Sequence, residues 1–305
     1  MQVALTGATG FIGERLARRL VAEGHKVVAL TRKQSPRLHA TVQQITGSLH
    51  DDQALSRLLL NADAVMHLAG AVRGSTSRDF DVPNVEGTAR LLSRCKAQAA
   101  GIPVLFFSSL AAREPMLSHY SASKRQAEEL FEKRTDGPWL ALRPPAVYGP
   151  GDKEMLPVFR FMARTGLAPC AGRRSDRLSL IFVEDLVDAA LAWLNRCGDI
   201  RAICSLHDGQ EAGYDWPRLA DIVGALCGRR IRVWELPGTI LDMAATANRA
   251  TSRLRGHAPM LTPEKLRELR HPDWVCDNRQ ISELLGWQPA TALKEGLVAT
   301  PGWRK

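Results

Sequence analysis

The sequence predicts an α/β fold, a doubly wound parallel sheet followed by a smaller C-terminal lobe. Three observations carry this. Short β-rich apolar runs alternate with helix-length stretches through the first half of the chain, and a glycine-rich turn joins the first run to the first amphipathic stretch. The regularity then fades after Pro144, Pro145 and the Gly149-Pro150-Gly151 cluster. The 305 residues, 45% apolar and 24% charged, have the balance of an ordinary globular protein, which excludes disordered and collagen-like chains.

Residues 3–6 read as the first strand. Ile12, Leu16 and Leu20 then recur every four residues, as the inward face of a helix does, and Gly24 stops it. Residues 27–30 complete one β-α-β unit. Further apolar runs at 64–68, 104–107 and 140–142 are each separated by enough chain for a crossover helix, so the sheet is expected to be covered on both faces. This places a nucleotide-binding domain at 1–150 and a mainly substrate-binding lobe at 151–305, with one or two short strands. Residues of about 180–206 are expected to return to the sheet.

Residues 237–256 read as a helix with Ile240, Leu241, Met243, Ala244 and Leu254 among its apolar positions and Arg249, Arg253 and Arg255 near its end. Two readings stay open: a lid or surface helix with cations at its C-terminal dipole, or a contact with a membrane surface or acyl chain. Trp274, Trp287 and Trp303 are expected to anchor the C-terminal lobe.

The chain has 41 Lys and Arg against 32 Asp and Glu, a net charge of +9 that suits an anionic cofactor, a nucleic acid or an anionic membrane. The basic residues are scattered without an aromatic-interleaved stripe, so no nucleic-acid partner is expected. The six cysteines (95, 170, 197, 204, 227, 276) form no C-x-x-C pair, which indicates neither a zinc site nor a disulfide framework. No run approaches the roughly 20 apolar residues of a membrane span, and a strand beginning at residue 2 leaves no room for a signal peptide. A cytoplasmic location is expected.

Gly7, Gly10 and Gly13 form a G-x-x-G-x-x-G run between the first strand and helix, the arrangement of a Rossmann-type dinucleotide site. The glycines allow a tight turn, a close approach to a pyrophosphate and close helix–sheet packing, with the helix N-terminus toward the anion. Thr9, Phe11 and Ile12 of the same turn are expected at the cofactor. An NAD enzyme usually presents a carboxylate at the end of the second strand, where this chain has Thr31-Arg32-Lys33. Two cations without an acid predict NADP(H) over NAD(H), with Arg32 on the 2′-phosphate.

Tyr120 and Lys124 lie in HYSASKRQAEEL, and their i, i+4 spacing puts both on one helix face. A phenol ionises reluctantly at neutral pH unless a cation favours its charged form, and Lys124 supplies one. The strand VLFFSSLAA ends in Ser108 and Ser109, placed to hydrogen-bond a carbonyl beside the phenol.

On TGATGFIG, MHLAG, NVEGT, FFSSLAA, YSASK, LRPPAVYGP and FVEDLVDA, in that order over nearly the whole chain, the sequence resembles the extended branch of the short-chain dehydrogenase/reductase superfamily, with its epimerases, dehydratases and keto-reductases. The resemblance implies hydride transfer between a nicotinamide and a carbon bearing oxygen, with Tyr120 moving the hydroxyl proton and Lys124 also binding the nicotinamide ribose. It further implies that Ala69 and Gly70 pass the cofactor, that Asn84 sits near the site and that Pro144 to Val147 flank the nicotinamide. Leu49 is expected at the cofactor, next to Ser48, where the family often has an adenine-contacting Asp. Where members often carry three hydroxyl residues this chain has Ser108, Ser109 and Leu110, which makes Ser109 the expected catalytic hydroxyl and Ser108 a cofactor neighbour.

Members acting on nucleotide sugars typically have Asn where this chain has Ala146, and an Arg about one position from Arg177; both diphosphate contacts are missing here. The LRPPAVYGP segment and the tail look more like the hydroxysteroid dehydrogenases and related keto-lipid reductases. The expectation is an NADPH-dependent reductase of a ketone on a hydrophobic, lipid-like substrate, for example keto-sphingoid, ceramide or steroid-like. Two alternatives stand beside it: a nucleotide-sugar epimerase or dehydratase, and a non-catalytic dinucleotide-binding sensor or assembly subunit. Peripheral contact with the inner membrane surface and a homodimer through the Tyr120 helix are open expectations. His67 reads more readily as a packed histidine than as an acid or base, and Arg113 and His119 could touch substrate or face water.

Overall fold

The first β-α-β unit forms as its apolar spacing requires. In the computed structural model, which describes residues 1–196, 198–255 and 262–304 (of 244 and 249–255 only the backbone), β1 (Gln2–Thr6) leads through the glycine turn into α1 (Phe11–Ala22) and on to β2 (Lys26–Thr31). Leu16 and Leu20 are fully buried, each worth about 1.5–3 kcal/mol relative to exposure. Gly24, at φ 83°, turns the chain where α1 ends.

The first half of the chain continues with β3 (Gln43–Thr46), α2 (Asp52–Leu59), β4 (Ala64–His67), α3 (Ser77–Asp81), α4 (Gly87–Gln98), β5 (Val104–Phe107), α5 (His119–Glu132) and β6 (Trp139–Arg143). A wide turn, Val82–Glu86, fuses α3 to α4: the Gly87 N–H donates to the Val82 carbonyl five residues back. Then come β7 (Ala146–Tyr148), α6 (Leu156–Thr165), β8 (Leu167–Cys170), β9 (Arg177–Leu178), β10 (Leu180–Phe182), α7 (Val183–Asn195) and β11 (Arg201–Ser205). The chain closes with α8 (Trp216–Cys227), β12 (Arg232–Glu235), α9 (Gly238–Arg255), α10 (Pro263–Leu269), β13 (Asp273–Trp274), α11 (Arg279–Leu285) and α12 (Leu293–Val298).

Seven strands form one parallel sheet in the order β11-β6-β5-β4-β1-β2-β3. The order reverses between β1 and β4, and ligands of such sheets bind in the crevice at that switch point, outside the strands' carboxyl ends. One core lies between the sheet and α1 and α7, the other between the sheet and α2, α4 and α5. β11 and α7 thus carry residues 183–205 back onto the sheet. The edge strand β3, short and polar, had no visible period in the sequence.

A third cluster, around Phe159, Met162, Leu219, Val223 and Trp303, fills the C-terminal lobe. That lobe contains more strands than the sequence suggested: β10 pairs with β7, β12 with β8 and β13 with β9, all parallel. Trp303 anchors the lobe and Trp274 is half-buried, but Trp287 packs with Ile281 and Leu285 into the α1/α7 core, because α11 returns across the sheet edge. α9 occupies the expected span; the side chains of Ala244, Arg249, Arg253, Leu254 and Arg255 lie outside those described. Cys95, Cys170, Cys204, Cys227 and Cys276 are free thiols, and Cys197 lies outside the described residues. Among the described residues no helix is long and apolar enough to cross a membrane, and no cluster suits a metal ion.

Candidate active site

At the switch point the turn after β1 is held by glycine stereochemistry. Gly7 has φ 75°, and a side chain there would drive into the Leu68–Ala69 backbone, at 2.6 Å. A Cβ on Gly13 would lie 2.2 Å from the Gly7 carbonyl. Gly10 caps α1 without a side-chain bond, so the first-turn N–H groups of Phe11 and Ile12 lack helical partners, as an anion site requires. Thr9 and Gly10 are exposed beside them.

From β4 a buried hydrogen-bond chain crosses the sheet. The Ala69 N–H donates to Thr6 Oγ1 at 3.1 Å, Thr6 Oγ1 meets His67 Nδ1 at 2.7 Å, His67 Nε2 meets Thr88 Oγ1 at 2.9 Å, and Thr88 donates to the Asn84 carbonyl at 2.6 Å. Thr6 gives its proton to Nδ1 and Thr88 takes one from Nε2, which fixes a neutral imidazole. Burial and the Lys124 charge pull the His67 pKa down to about 3. His67 is a structural histidine.

Asn84, in the wide turn between α3 and α4, accepts from the Ala71 N–H at 2.7 Å and donates to the Ala71 carbonyl at 3.0 Å and to Ser123 Oγ at 2.9 Å. It ties the loop after β4 to the Tyr120 helix. A Cβ on Gly70 would come within 2.7 Å of Asn84 Oδ1 and 3.6 Å of Lys124 Nζ. Glycine therefore keeps open the approach to both groups. This opening, with the free N-terminus of α1, fits a dinucleotide lying across the switch point.

α5 presents the expected pair. Ser118 caps the helix by accepting from the Ser121 N–H at 2.9 Å, and Tyr120 sits half-buried in the first turn, its ring 6.0 Å from Phe80. Burial raises the phenol's pKa, the hydrogen bond from Ser109 lowers it, and the charges bearing most on it are Glu268, Lys265 and Glu154. Lys124 donates to the Phe107 carbonyl at 2.9 Å and lies over the Phe106 ring at 5.1 Å. Burial pulls its pKa down to about 8, partly offset by Glu128.

The two serines part company here. Ser109 is half-buried, bonds with Tyr120 and caps the short turn Leu110–Arg113 by accepting from the Ala111 N–H at 3.2 Å. Ser108, on the other face of the strand, donates to Glu128 Oε1. Glu128 is fully buried and paired with Arg143 at 2.8 and 2.6 Å. Glu128 escaped the sequence reading although its spacing from Lys124 repeats that of Lys124 from Tyr120.

The other expected residues are distributed as follows. Pro144 is buried and its carbonyl accepts from the Leu110 N–H at 2.9 Å, while Val147 packs against the α1/α7 core. Leu49 turns its side chain into the α2/α4 core against Gly87. Arg32 and Lys33 are exposed at the end of β2, without an ion pair among the described residues. Arg113 is not free for a ligand: it donates to the Asp273 and Val275 carbonyls and lies over Trp274, clasping the two halves. His119 is exposed, and Arg177 is an exposed partner of Asp273.

Three charged residues at the cleft had no signal in the sequence. Glu154, on the loop after β7, is bound by Arg73. Lys265 and Glu268 come from α10, Nζ to Oε2 being 2.8 Å.

Residues 3–203 match the model of the NAD dependent epimerase/dehydratase family. Ceramide reductase of Caulobacter vibrioides is 34% identical, over 99% of this chain and 93% of its own length. A 2-alkyl-3-oxoalkanoate reductase of Stenotrophomonas maltophilia is 31% identical, over 97% of each chain. Among solved structures, MoeE5 in complex with UDP-glucose and NAD superposes with a TM-score of 0.75 at 24% identity, covering 99% of this chain and 98% of that one, which bears out the fold. With its glycine turn, Tyr120 and Lys124 assembled at one switch point, the chain belongs to the NAD dependent epimerase/dehydratase family, the extended short-chain dehydrogenases/reductases, and is an NAD(P)-dependent oxidoreductase.

Proposed function

We propose that the protein is an NADPH-dependent reductase of a ketone on a hydrophobic, lipid-like substrate, a keto-sphingoid or ceramide-like molecule being the leading class. The observation that carries this is the full-length likeness to a ceramide reductase. Ala146, which cannot make the family's amide contact to a nucleotide-sugar diphosphate, supports it.

In this reading Gly7, Gly10 and Gly13 with Thr9, Phe11 and Ile12 hold the pyrophosphate, and Arg32 takes the 2′-phosphate. Leu49, Ala69, Gly70 and Asn84 border the dinucleotide toward α4; Ser108, Pro144 and Val147 border it toward β6 and β7. When bound, the reduced nicotinamide supplies the hydride. Ser109 hydrogen-bonds the ketone oxygen and Tyr120 gives it a proton. Lys124 orients the cofactor ribose and stabilises the phenolate left behind.

Substrate delivery fits the surface near α9, where Trp234, Ile240 and Met243 are 44%, 55% and 67% exposed. Exposed apolar groups on a chain of net charge +9 suit peripheral contact with an anionic membrane.

The test follows NADPH and, separately, NADH consumption against one panel of long-chain keto-lipids, steroid ketones and nucleotide sugars. Stoichiometric NADPH loss with a keto-lipid, abolished by Tyr120→Phe, is expected. Conversion of a nucleotide sugar without net consumption would move the protein to the epimerases, and undiminished turnover in Tyr120→Phe would remove the mechanism.

A further inference from the structure

Glu268 belongs to the C-terminal lobe, yet the residue is only 6% exposed and its carboxylate lies at the first turn of the catalytic helix. Ser118 donates to its Oε1, and Ser121 reaches the same oxygen at 3.3 Å. These two serines flank Tyr120 on its own turn. The surrounding bonds make the placement rigid. Arg267 Nε donates to the Leu117 carbonyl at 2.8 Å, and Trp274 Nε1 donates to the carbonyl of Glu268 itself, also at 2.8 Å. The other carboxylate oxygen holds Lys265, whose side chain is 43% exposed. Burial works against the Lys265 ammonium, but Glu268, Tyr120 and Glu154 more than offset this and hold its pKa above the usual lysine value.

We propose that Lys265 and Glu268 are a positioning pair for the Tyr120 phenol: Glu268 clamps the turn that carries the phenol, and Lys265 presents an ammonium to it from the other lobe. The proposal rests on the reading of Tyr120 as the proton donor. When the Tyr120 O–H bond breaks and its proton passes to the ketone oxygen, the negative charge left on the ring faces Lys265 from α10, while Lys124, one turn on in the same helix, has its Nζ on the Phe107 carbonyl. Against the ring charge stand Glu268 from α10 and Glu154, itself held by Arg73, from the loop after β7. α3 meets the ring through the apolar Phe80. A cation and an anion of one lobe thus set the acidity of a group on the other, so the phenol is tuned only while α10 is docked.

The chain has three tyrosines. Burial pushes Tyr148 and Tyr214 well above the ordinary phenol range, so an alkaline titration at the phenolate absorption band, with Tyr120→Phe as the blank, reads Tyr120 without any substrate. Lys265→Met is expected to raise its apparent pKa and Glu268→Gln to lower it, each by roughly half a unit or more, below the 1–3 units of an unshared contact charge. Lys265→Arg is expected to restore the native value. Near-UV circular dichroism at each pH confirms the fold, and the near-isosteric Glu268→Gln stands alone if Lys265→Met does not fold. Opposite shifts support the pair, because loss of mere packing has no reason to move the two variants in opposite directions. Unchanged pKa values, or shifts of one sign, overturn it while leaving the catalytic reading intact. A Tyr120→Phe enzyme with full ketone turnover would instead overturn both.

Discussion

Replacing Ser108 and Ser109 separately with alanine should separate stability from chemistry at adjacent positions. The Ser108 hydroxyl is buried and donates to the Glu128 carboxylate that Arg143 pairs, and a hydrogen bond to a charged group is worth roughly 1.5–3 kcal/mol. Arg143 still holds both carboxylate oxygens after Ser108→Ala, so Glu128 is not orphaned and the lower end applies, about 1.5 kcal/mol. For a chain of this size that lowers Tm by roughly 2–3 °C, with kcat/KM little changed. Ser109→Ala loses the hydroxyl that bonds the phenol and would face the ketone oxygen. Removal of one such donor costs about 100-fold or more in kcat, while the lost cap of a short turn costs about 0.5–1 kcal/mol. Thermal unfolding and NADPH consumption with a responsive keto-lipid read the two effects. A Ser108→Ala enzyme as slow as Ser109→Ala at native Tm would refute the reasoning.

Other expectations follow from the same geometry. Arg143→Met leaves the buried Glu128 carboxylate without its fork, and because Ser108 and Arg125 remain on it the cost should fall at the low end of the range for a broken buried pair, about 3 kcal/mol, whereas Glu128→Met with Arg143→Met should cost less than the two single changes summed; additivity in chemical denaturation would contradict this. Arg32→Asp should weaken NADPH binding at least about tenfold and spare NADH, as a lost charge-assisted bond predicts; equal weakening in a fluorescence titration would remove the cofactor assignment. Burial lifts the Asp208 carboxyl to about 6, partly opposed by the Tyr214 hydroxyl. An acid raised in the folded state contributes stability that is full below its unfolded value near 3.8 and is lost as pH rises through about 6. Tm of Asp208→Asn should therefore gain on the native chain across that interval, and a constant difference would show that Asp208 does not titrate there. Ile240→Asp with Met243→Asp should reduce sedimentation with anionic liposomes and leave NADPH affinity intact; undiminished sedimentation would end the membrane proposal.

Much of the nucleotide-binding half was legible because local physics fixes it. Gly7 and Gly13 admit no side chain, Leu16 and Leu20 keep helical period, and the inner strands are continuous apolar runs. The partner of Ser108 was not legible: Glu128 lies on α5, 20 residues away, and only the folded chain brings the two together. What escaped was long-range or misleading in isolation. Nothing within PEKLREL says that Glu268 meets Ser118, 150 residues away. Trp287 sits in a C-terminal segment but crosses back to the sheet core, and β3 is too short and polar to show a period.

The wide turn Val82–Glu86 acts as a phase corrector. In an ideal α-helix each residue advances about 100°, so positions four and eight apart drift by roughly 40° and 80°. Phe80, Asn84 and Thr88 stand at that spacing, yet they meet Tyr120, Ser123 and His67 in turn. The underwound turn returns part of the accumulated angle and keeps all three aimed inward. Removing a single residue from it would make the helix regular and swing Phe80 by about 100° off the phenol while sparing the Thr88–His67 bond. Along this stretch the count of residues is constrained more tightly than their identity, so an insertion or deletion there does more harm than most substitutions.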